Sequence, residues 1–283
     1  MITLLFFVVS SFCSGQTLVK TIGEFAKAEA FSISPGGLIY VTDIDQDELY
    51  QFDAEGKLLE SIGGYGWESL AFDQPVDVYA TTLRIYVADK NNNRIQIFDK
   101  FLNYLSNFSV SEDTESSYAF AYPTGFGVSN QGDYFILDSD NLRILKYDIN
   151  GNFLLQIGNY DSGKFALSEP TKLAVSADGK IFVINKEQVF VFDQYGTGLI
   201  KLSPGFAPKN INITFYNLTL NSDSKIKYLN LKDITGGFKA FAPNIDEIEG
   251  EEIKEAAIFN EKIFVLTDKT IAVYKLNSNE EKN

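Results

Sequence analysis

Apolar and polar positions alternate along this chain in short bursts of one kind. A branched aliphatic residue is followed three positions later by an aromatic or leucine, and usually then by an acid. The copies run Leu49 to Asp53, Ile95 to Asp99, Ile144 to Asp148, Val189 to Asp193, Ile226 to Asn230 and Ile271 to Lys275. Alternation over so short a run predicts a β-strand. Measured from the closing residue, the steps are 46 (52 to 98), 49 (98 to 147), 45 (147 to 192), 37 (192 to 229) and 45 (229 to 274). A unit of roughly 40 to 50 residues holding several short strands is one blade of a propeller.

Four strands are predicted per unit. In the second, Ile85 to Asp89 precedes the repeat, Lys90 to Asn93 forms a polar turn and Arg94 opens the next strand; the third repeats this as Tyr134 to Asp138, Ser139 to Leu142 and Arg143. Two β-rich runs joined by an Asn/Asp-rich turn read as a hairpin. Upstream lies an apolar run that begins after proline at Pro75, Pro123 and Pro170, and this is the innermost strand, proline standing where no ladder donor is lost. Downstream comes an outer strand, as in Lys57 to Ile62 and Asn152 to Ile157. The sixth unit lacks one, because only the polar tail 277–283 follows Leu276. Thr17 to Gly23 has the pattern and closing glycine of Lys57 to Gly63. The expected fold is therefore all-β, a six-bladed β-propeller over residues 16–276 in which the N-terminal strand completes the last blade. Such closure removes an exposed sheet edge.

The second unit, Ile85 to Asp99, with its Tyr-Val-Ala-Asp, Asn-x-Arg and Ile-Gln-Ile-Phe-Asp segments, resembles an NHL repeat, and the third does so nearly as well. The first and fourth units keep the strands without Asn-x-Arg, and the last two are degenerate. The resemblance implies a six-bladed propeller and leaves function open, because that scaffold hosts binding proteins and enzymes alike.

Composition fits one all-β unit: 45% of the 283 residues are hydrophobic and 14% aromatic, enough to fill the spaces between blades. Most aromatics belong in that packing. Trp67, in a Gly-rich turn, is a candidate contact residue, and the long segment Ser109 to Tyr122 offers Tyr118, Phe120 and Tyr122 as a surface patch.

The first fifteen residues read differently. Ile2 to Val9 is apolar and Ser10, Ser11, Ser14 and Gly15 are small, the pattern of a secretory signal peptide cleaved after Gly15, over residues 1–15. It is too short to span a bilayer. Phe12 stands where a bacterial lipobox needs a small residue, which argues against a lipoprotein anchored at Cys13. Cleavage would leave a mature chain without cysteine or transmembrane segment, placed in the periplasm or secreted, and without disulfides or cysteine-bound zinc.

The net charge of −14 disfavours nucleic acid, whose recognition needs basic patches. The acidic run Asp246 to Glu252 reads as a solvated loop. The chain has no histidine, which removes a Ser-His-Asp triad and histidine-bound zinc. The zinc-dependent lyase activity of related NHL propellers is therefore not implied.

Gluconolactonase-like propellers, by contrast, hold a divalent cation in the channel with Glu, Asn and Asp side chains, a set suited to calcium. With the innermost strands in register, the channel residues are Ala30, Asp77, Gly125, Lys172, Asn212 and Glu255. Asp77, Asn212 and Glu255 could bind Ca2+, while Lys172 would repel it and could instead pair with Asp77 or Glu255. Two functions follow: a non-catalytic propeller needing no cofactor that binds a protein or carbohydrate through its rim loops, or a cation-dependent lactonase or esterase.

Overall fold

The computed structural model describes residues 17–110, 118–243, 248 and 250–276. The expected signal segment, the polar tail and much of the acidic run lie outside these residues. Within them the chain folds into six antiparallel sheets of four strands.

Blade 1 comprises β2 (Ala28–Ile33), β3 (Ile39–Asp43), β4 (Glu48–Phe52) and β5 (Leu58–Gly63). Blade 2 comprises β6 (Pro75–Ala80), β7 (Arg84–Asp89), β8 (Arg94–Asp99) and β9 (Tyr104–Phe108). Blade 3 holds β10 (Gly125–Val128), β11 (Tyr134–Asp138), β12 (Arg143–Tyr147) and β13 (Phe153–Ile157). Blade 4 holds β14 (Pro170–Val175), β15 (Ile181–Asn185), β16 (Gln188–Phe192) and β17 (Gly198–Leu202). Blade 5 is β18 (Asn210–Thr214), β19 (Asn217–Asn221), β20 (Ile226–Asn230) and β21 (Lys239–Phe241), and blade 6 is β22 (Glu255–Phe259), β23 (Lys262–Leu266) and β24 (Ile271–Lys275). The fourth strand of blade 6 is β1 (Leu18–Ile22), paired antiparallel to β24 with Ile22 opposite Ile271. The first and last strands thus meet in one sheet, and the ring closes as the sequence predicts.

The hydrophobic core lies between blades, because each sheet presents alternate side chains to its two neighbours. Val78, Ile85, Val87 and Phe98 pack back on blade 1, while Tyr86, Ala88, Ile95 and Ile97 pack forward on blade 3. Buried aromatics in the lead-in loops wedge between blades: Phe25, Phe72 and Phe120 each lie six residues before an inner-strand residue that is itself buried, namely Phe31, Val78 and Phe126. Each such side chain stabilises by about 1.5–3 kcal/mol on burial.

The face where inner strands begin is called the top here. Lead-in loops and the turns between second and third strands lie there; the turns that follow the inner strands lie at the bottom. Inner strands β2, β6 and β14 shift register near their top ends, between Ala28 and Ala30, Pro75 and Asp77, and Pro170 and Leu173. Such bulges re-aim the residues around them. No helix among the described residues is long and apolar enough to cross a membrane.

Candidate functional site

The lead-in loop of blade 2, residues 64–74, is held from beneath by one buried arginine. Arg94 Nε donates to Asp89 Oδ2 at 2.7 Å, Nη1 donates to the Trp67 carbonyl at 2.7 Å, and Nη2 donates to the carbonyls of Glu68 at 3.0 Å and Ala71 at 2.9 Å. Asn92 Nδ2 donates to the Gly66 carbonyl at 2.8 Å and Gln96 Nε2 to that of Ala71 at 2.6 Å. Asp89 is fully buried and its other oxygen accepts from Asp73 N–H at 2.8 Å. The guanidinium's fixed fork of donors is what lets one side chain hold three carbonyls. Gly63 permits the turn: its φ is +140°, and a Cβ there would strike the Asp47 carbonyl.

With its carbonyls at Gly66, Trp67, Glu68 and Ala71 held from below, this loop leaves its aromatics exposed. Tyr65 is 76% and Trp67 75% exposed. The sequence singles out Trp67 and passes over Tyr65, two positions earlier in the same Gly-rich turn.

Blade 3 repeats the device. Arg143 Nε donates to buried Asp138 at 2.8 Å and Nη2 donates to the Ala119 carbonyl at 2.8 Å. Here the expected patch divides. Tyr118 is partly exposed, but its ring lies 4.6 Å from that of Phe153 and its carbonyl accepts from Tyr147 Oη at 2.6 Å, so it faces the outer strands of blade 3. Phe120 is not a surface residue: it is 6% exposed and packs on Phe108 and Tyr147 as the inter-blade wedge equivalent to Phe72. Tyr122 is 46% exposed, has a left-handed φ of 49°, and its N–H donates to Asn93 Oδ1 at 2.7 Å. A bulky residue in that region is uncommon. Asn92 thus ties the blade 2 loop, and its neighbour Asn93 ties the blade 3 loop, so Tyr65, Trp67 and Tyr122 come to one stretch of the top face.

The channel brings Asp77, Asn212 and Glu255 together on one cavity of about 270 Å3. Glu255 Oε2 accepts from Phe31 N–H at 2.9 Å, and Asp77 Oδ2 accepts from Phe126 N–H at 2.8 Å. These are equivalent bonds: each carboxylate closes the free inner edge of the next blade. Asn212 Nδ2 donates to Glu255 Oε1 at 2.8 Å, and Thr214 Oγ1 donates to Asn212 Oδ1 at 2.9 Å. Asn212 is not the register counterpart of Asp77, however. Ile211 packs back on blade 4 as Val78 does on blade 1, so Asn210 takes the Asp77 position, donating from Nδ2 to the Lys254 carbonyl at 3.2 Å, and Asn212 lies further down the channel.

Lys172 crosses the channel above this floor. Its ammonium donates to the Val76 carbonyl at 2.9 Å and lies 4.0 Å from Glu29 Oε1, rather than forming the ion pair with Asp77 or Glu255 that the sequence suggests. The bulge around residue 29 provides this partner. Burial raises the Asp77 carboxyl above its ordinary range, although the side chain keeps some surface on the cavity; the Lys172 charge and the Phe126 N–H oppose the shift. Burial likewise pushes Glu255 up to about 8, against hydrogen bonds from Asn212 and Phe31, with the Asp77 charge adding to the rise.

The floor does not fit calcium, which takes six to eight oxygens. Both Glu255 oxygens and one of Asp77 already accept from protein donors, and the Asn212 carbonyl accepts from Thr214. Among the described residues no three acidic side chains gather as metal ligands would.

Comparison with known proteins agrees with this architecture. Residues 72–98 match the NHL repeat, a span that contains Phe72, Asp77, Asp89 and Arg94. A 139-residue stretch, 48% of the chain, is 23% identical to the protein brain tumor of Drosophila melanogaster, of which it covers only 13%. Virginiamycin B lyase from Staphylococcus aureus, as the selenomethionine protein, superposes with a TM-score of 0.60 at 12% identity, over 90% of this chain and 98% of that one. Its catalytically inactive variant with quinupristin, in which a histidine is replaced by alanine, gives 0.57 at 14% identity over 88% and 80%. A streptogramin B lyase gives 0.59 at 14% identity over 92% and 87%. At these identities the likeness is one of fold.

Proposed function

We propose that this six-bladed, NHL-containing propeller is an exported, non-catalytic scaffold that binds a partner through the top-face loops of blades 2 and 3. One observation carries the proposal: Arg94 holds the carbonyls of Trp67, Glu68 and Ala71 while Tyr65 and Trp67 stay three-quarters exposed. A loop ordered before binding avoids most of the ordering cost at an interface, and exposed Trp and Tyr are the side chains that most often dominate one. A protein partner is favoured over a carbohydrate by the acids that share this loop and its neighbours, Asp47, Glu68 and Asp73, which suit a basic surface. Export rests on the apolar segment Ile2 to Val9.

Trp67 is the single tryptophan, so its fluorescence reports on this loop alone. Titration with cell-envelope fractions and, separately, with soluble glycans should shift its emission to the blue, and Trp67→Ala should abolish retention of the same fraction on immobilised protein. Retention that survives both Trp67→Ala and Tyr65→Ala would refute the rim-loop site.

A lactonase or esterase is the second reading, favoured by the elevated Glu255 on a cavity floor, the kind of perturbed group that proton-transfer sites use. Against it stand the floor's poor fit to calcium and the absence of histidine, the residue whose replacement marks the inactive lyase neighbour. Lactone or ester turnover lost in Asp77→Ala would establish that reading in place of the scaffold.

A further inference from the structure

The bottom-facing cavity has an architecture unrelated to the rim loops. Its floor is made by Asp77 and Glu255, its walls by apolar side chains including Val78, Leu173 and Ile211 together with the polar Asn212, Thr214 and Ser129, and its mouth by the turns that follow the inner strands, on the face opposite Trp67. No lysine or arginine lines it. Lys172, the nearest cation, is turned to the other side of the floor, on the Val76 carbonyl and toward Glu29. We propose that this cavity binds a small organic cation, an amine whose ammonium rests on the Asp77 and Glu255 carboxylates and whose short hydrocarbon body lies along the apolar walls.

Each feature selects that class. Once ionised, these carboxylates only accept hydrogen bonds, so a ligand that holds them ionised must donate. The Phe31, Phe126 and Asn212 donors reach three of the four carboxyl oxygens, and each oxygen has a second lone pair to offer. An anion would meet two acids with no lining cation. A neutral alcohol could donate too, but it brings no charge, whereas an ammonium adds to the Lys172 charge that already favours the ionised form of both acids. The volume of about 270 Å3 falls just short of the ~300 Å3 at which drug-sized ligand pockets begin, so the body must be short.

Protonation supplies an independent signature. The groups facing Glu255 are Asp77 from β6, Lys172 from β14, Asn212 from β18 and the Phe31 N–H from β2. In the free protein at neutral pH Glu255 is largely protonated, its carboxyl lying near 8. An ammonium arriving beside it favours the carboxylate, so binding expels a proton to the buffer and tightens as pH rises toward that value.

The test is calorimetric titration of the purified chain with n-butylammonium, n-butanol and butyrate, matched in length and differing in charge. The amine should bind saturably, butanol and butyrate should not, and the amine's heat in two buffers of different ionisation enthalpy should show proton release near pH 7. Asp77→Asn should weaken the amine by about tenfold or more, the scale of a charge-assisted contact. Glu255→Gln should weaken it and remove the proton release. Equal binding of amine and alcohol, no binding of the amine, or unchanged affinity in both variants would overturn the proposal. The three-probe comparison on unsubstituted protein decides the matter even if a variant fails to fold. Trp67→Ala should leave amine binding intact, which separates this cavity from the rim loop.

Discussion

The rim loop of blade 2 and the channel floor use buried charge in opposite senses. At the rim, Asp89 and Arg94 form an ion pair beneath the loop, the two terminal guanidinium nitrogens donate to backbone carbonyls, and the exposed surface is aromatic. In the channel, Asp77 and Glu255 also hold backbone, through the Phe126 and Phe31 N–H groups, but they keep a side on the cavity and carry no ion pair of their own. The rim is thus a surface whose carbonyls are held from below, which is what the proposed contact requires. The channel holds carboxyls at elevated affinity for protons, which is what the proposed charged guest would exploit.

Removing Arg94 breaks this contrast most severely. Arg94→Met would strand the fully buried Asp89 and free three carbonyls, and should cost about 3–5 kcal/mol in urea unfolding. A loss under about 1 kcal/mol, the value of an exposed pair, would mean the clamp holds nothing. Phe120→Ala should cost a similar 3–5 kcal/mol, as a core aromatic does, whereas a true surface residue would change stability by less than about 0.5 kcal/mol.

A smaller effect separates the channel from the rim through pH. The folded-state Glu255 carboxyl is raised from 4.5 to about 8, so the folded protein binds this proton more tightly than the unfolded chain. Its contribution to stability is therefore greatest below about 4.5, declines as pH rises toward 8 and is constant above. Glu255→Gln should flatten that decline and raise the melting temperature near pH 9 by several degrees relative to the native chain. Gln keeps an acceptor for Phe31, and Asn212 can turn its amide because the Thr214 hydroxyl both donates and accepts. An unchanged pH profile would show that Glu255 is not held protonated. Smallest of all, Trp67→Ala should leave stability within about 0.5 kcal/mol while removing partner binding.

The blades were legible because strand alternation and spacing survive even where the motif decays. Ile271 to Lys275 has lost the acid yet still pairs with β1. Register was legible where proline marks an inner strand, as at Pro75 and Pro170. Blade 5 has no proline at its first strand residue, Asn210, and there the alignment slipped to Asn212. Phe120 could have been recognised as a wedge from its six-residue spacing to Phe126, the spacing of Phe25 to Phe31 and Phe72 to Val78. The clamp could not: Asp89 and Arg94 stand out in the repeat, but their targets are main-chain carbonyls at Trp67, Glu68 and Ala71, which carry no side-chain signature. Lys172 was visible as a channel cation, while its partner Glu29 depended on a bulge that sequence spacing does not reveal.

The most direct test of a fixed loop bearing free aromatics needs no partner. Acrylamide quenching of Trp67 should be combined with amide hydrogen exchange across residues 64–74, where Gly64, Gly66 and Phe72 N–H donate to Asp47, Phe72 and Gly64 carbonyls at 2.8, 2.9 and 3.0 Å. The expected result is a ring quenched nearly as readily as a free indole above amides that exchange slowly, with the protection lost in Arg94→Met. Amides that exchange as fast as an unfolded chain, or a ring shielded from quencher, would contradict the account.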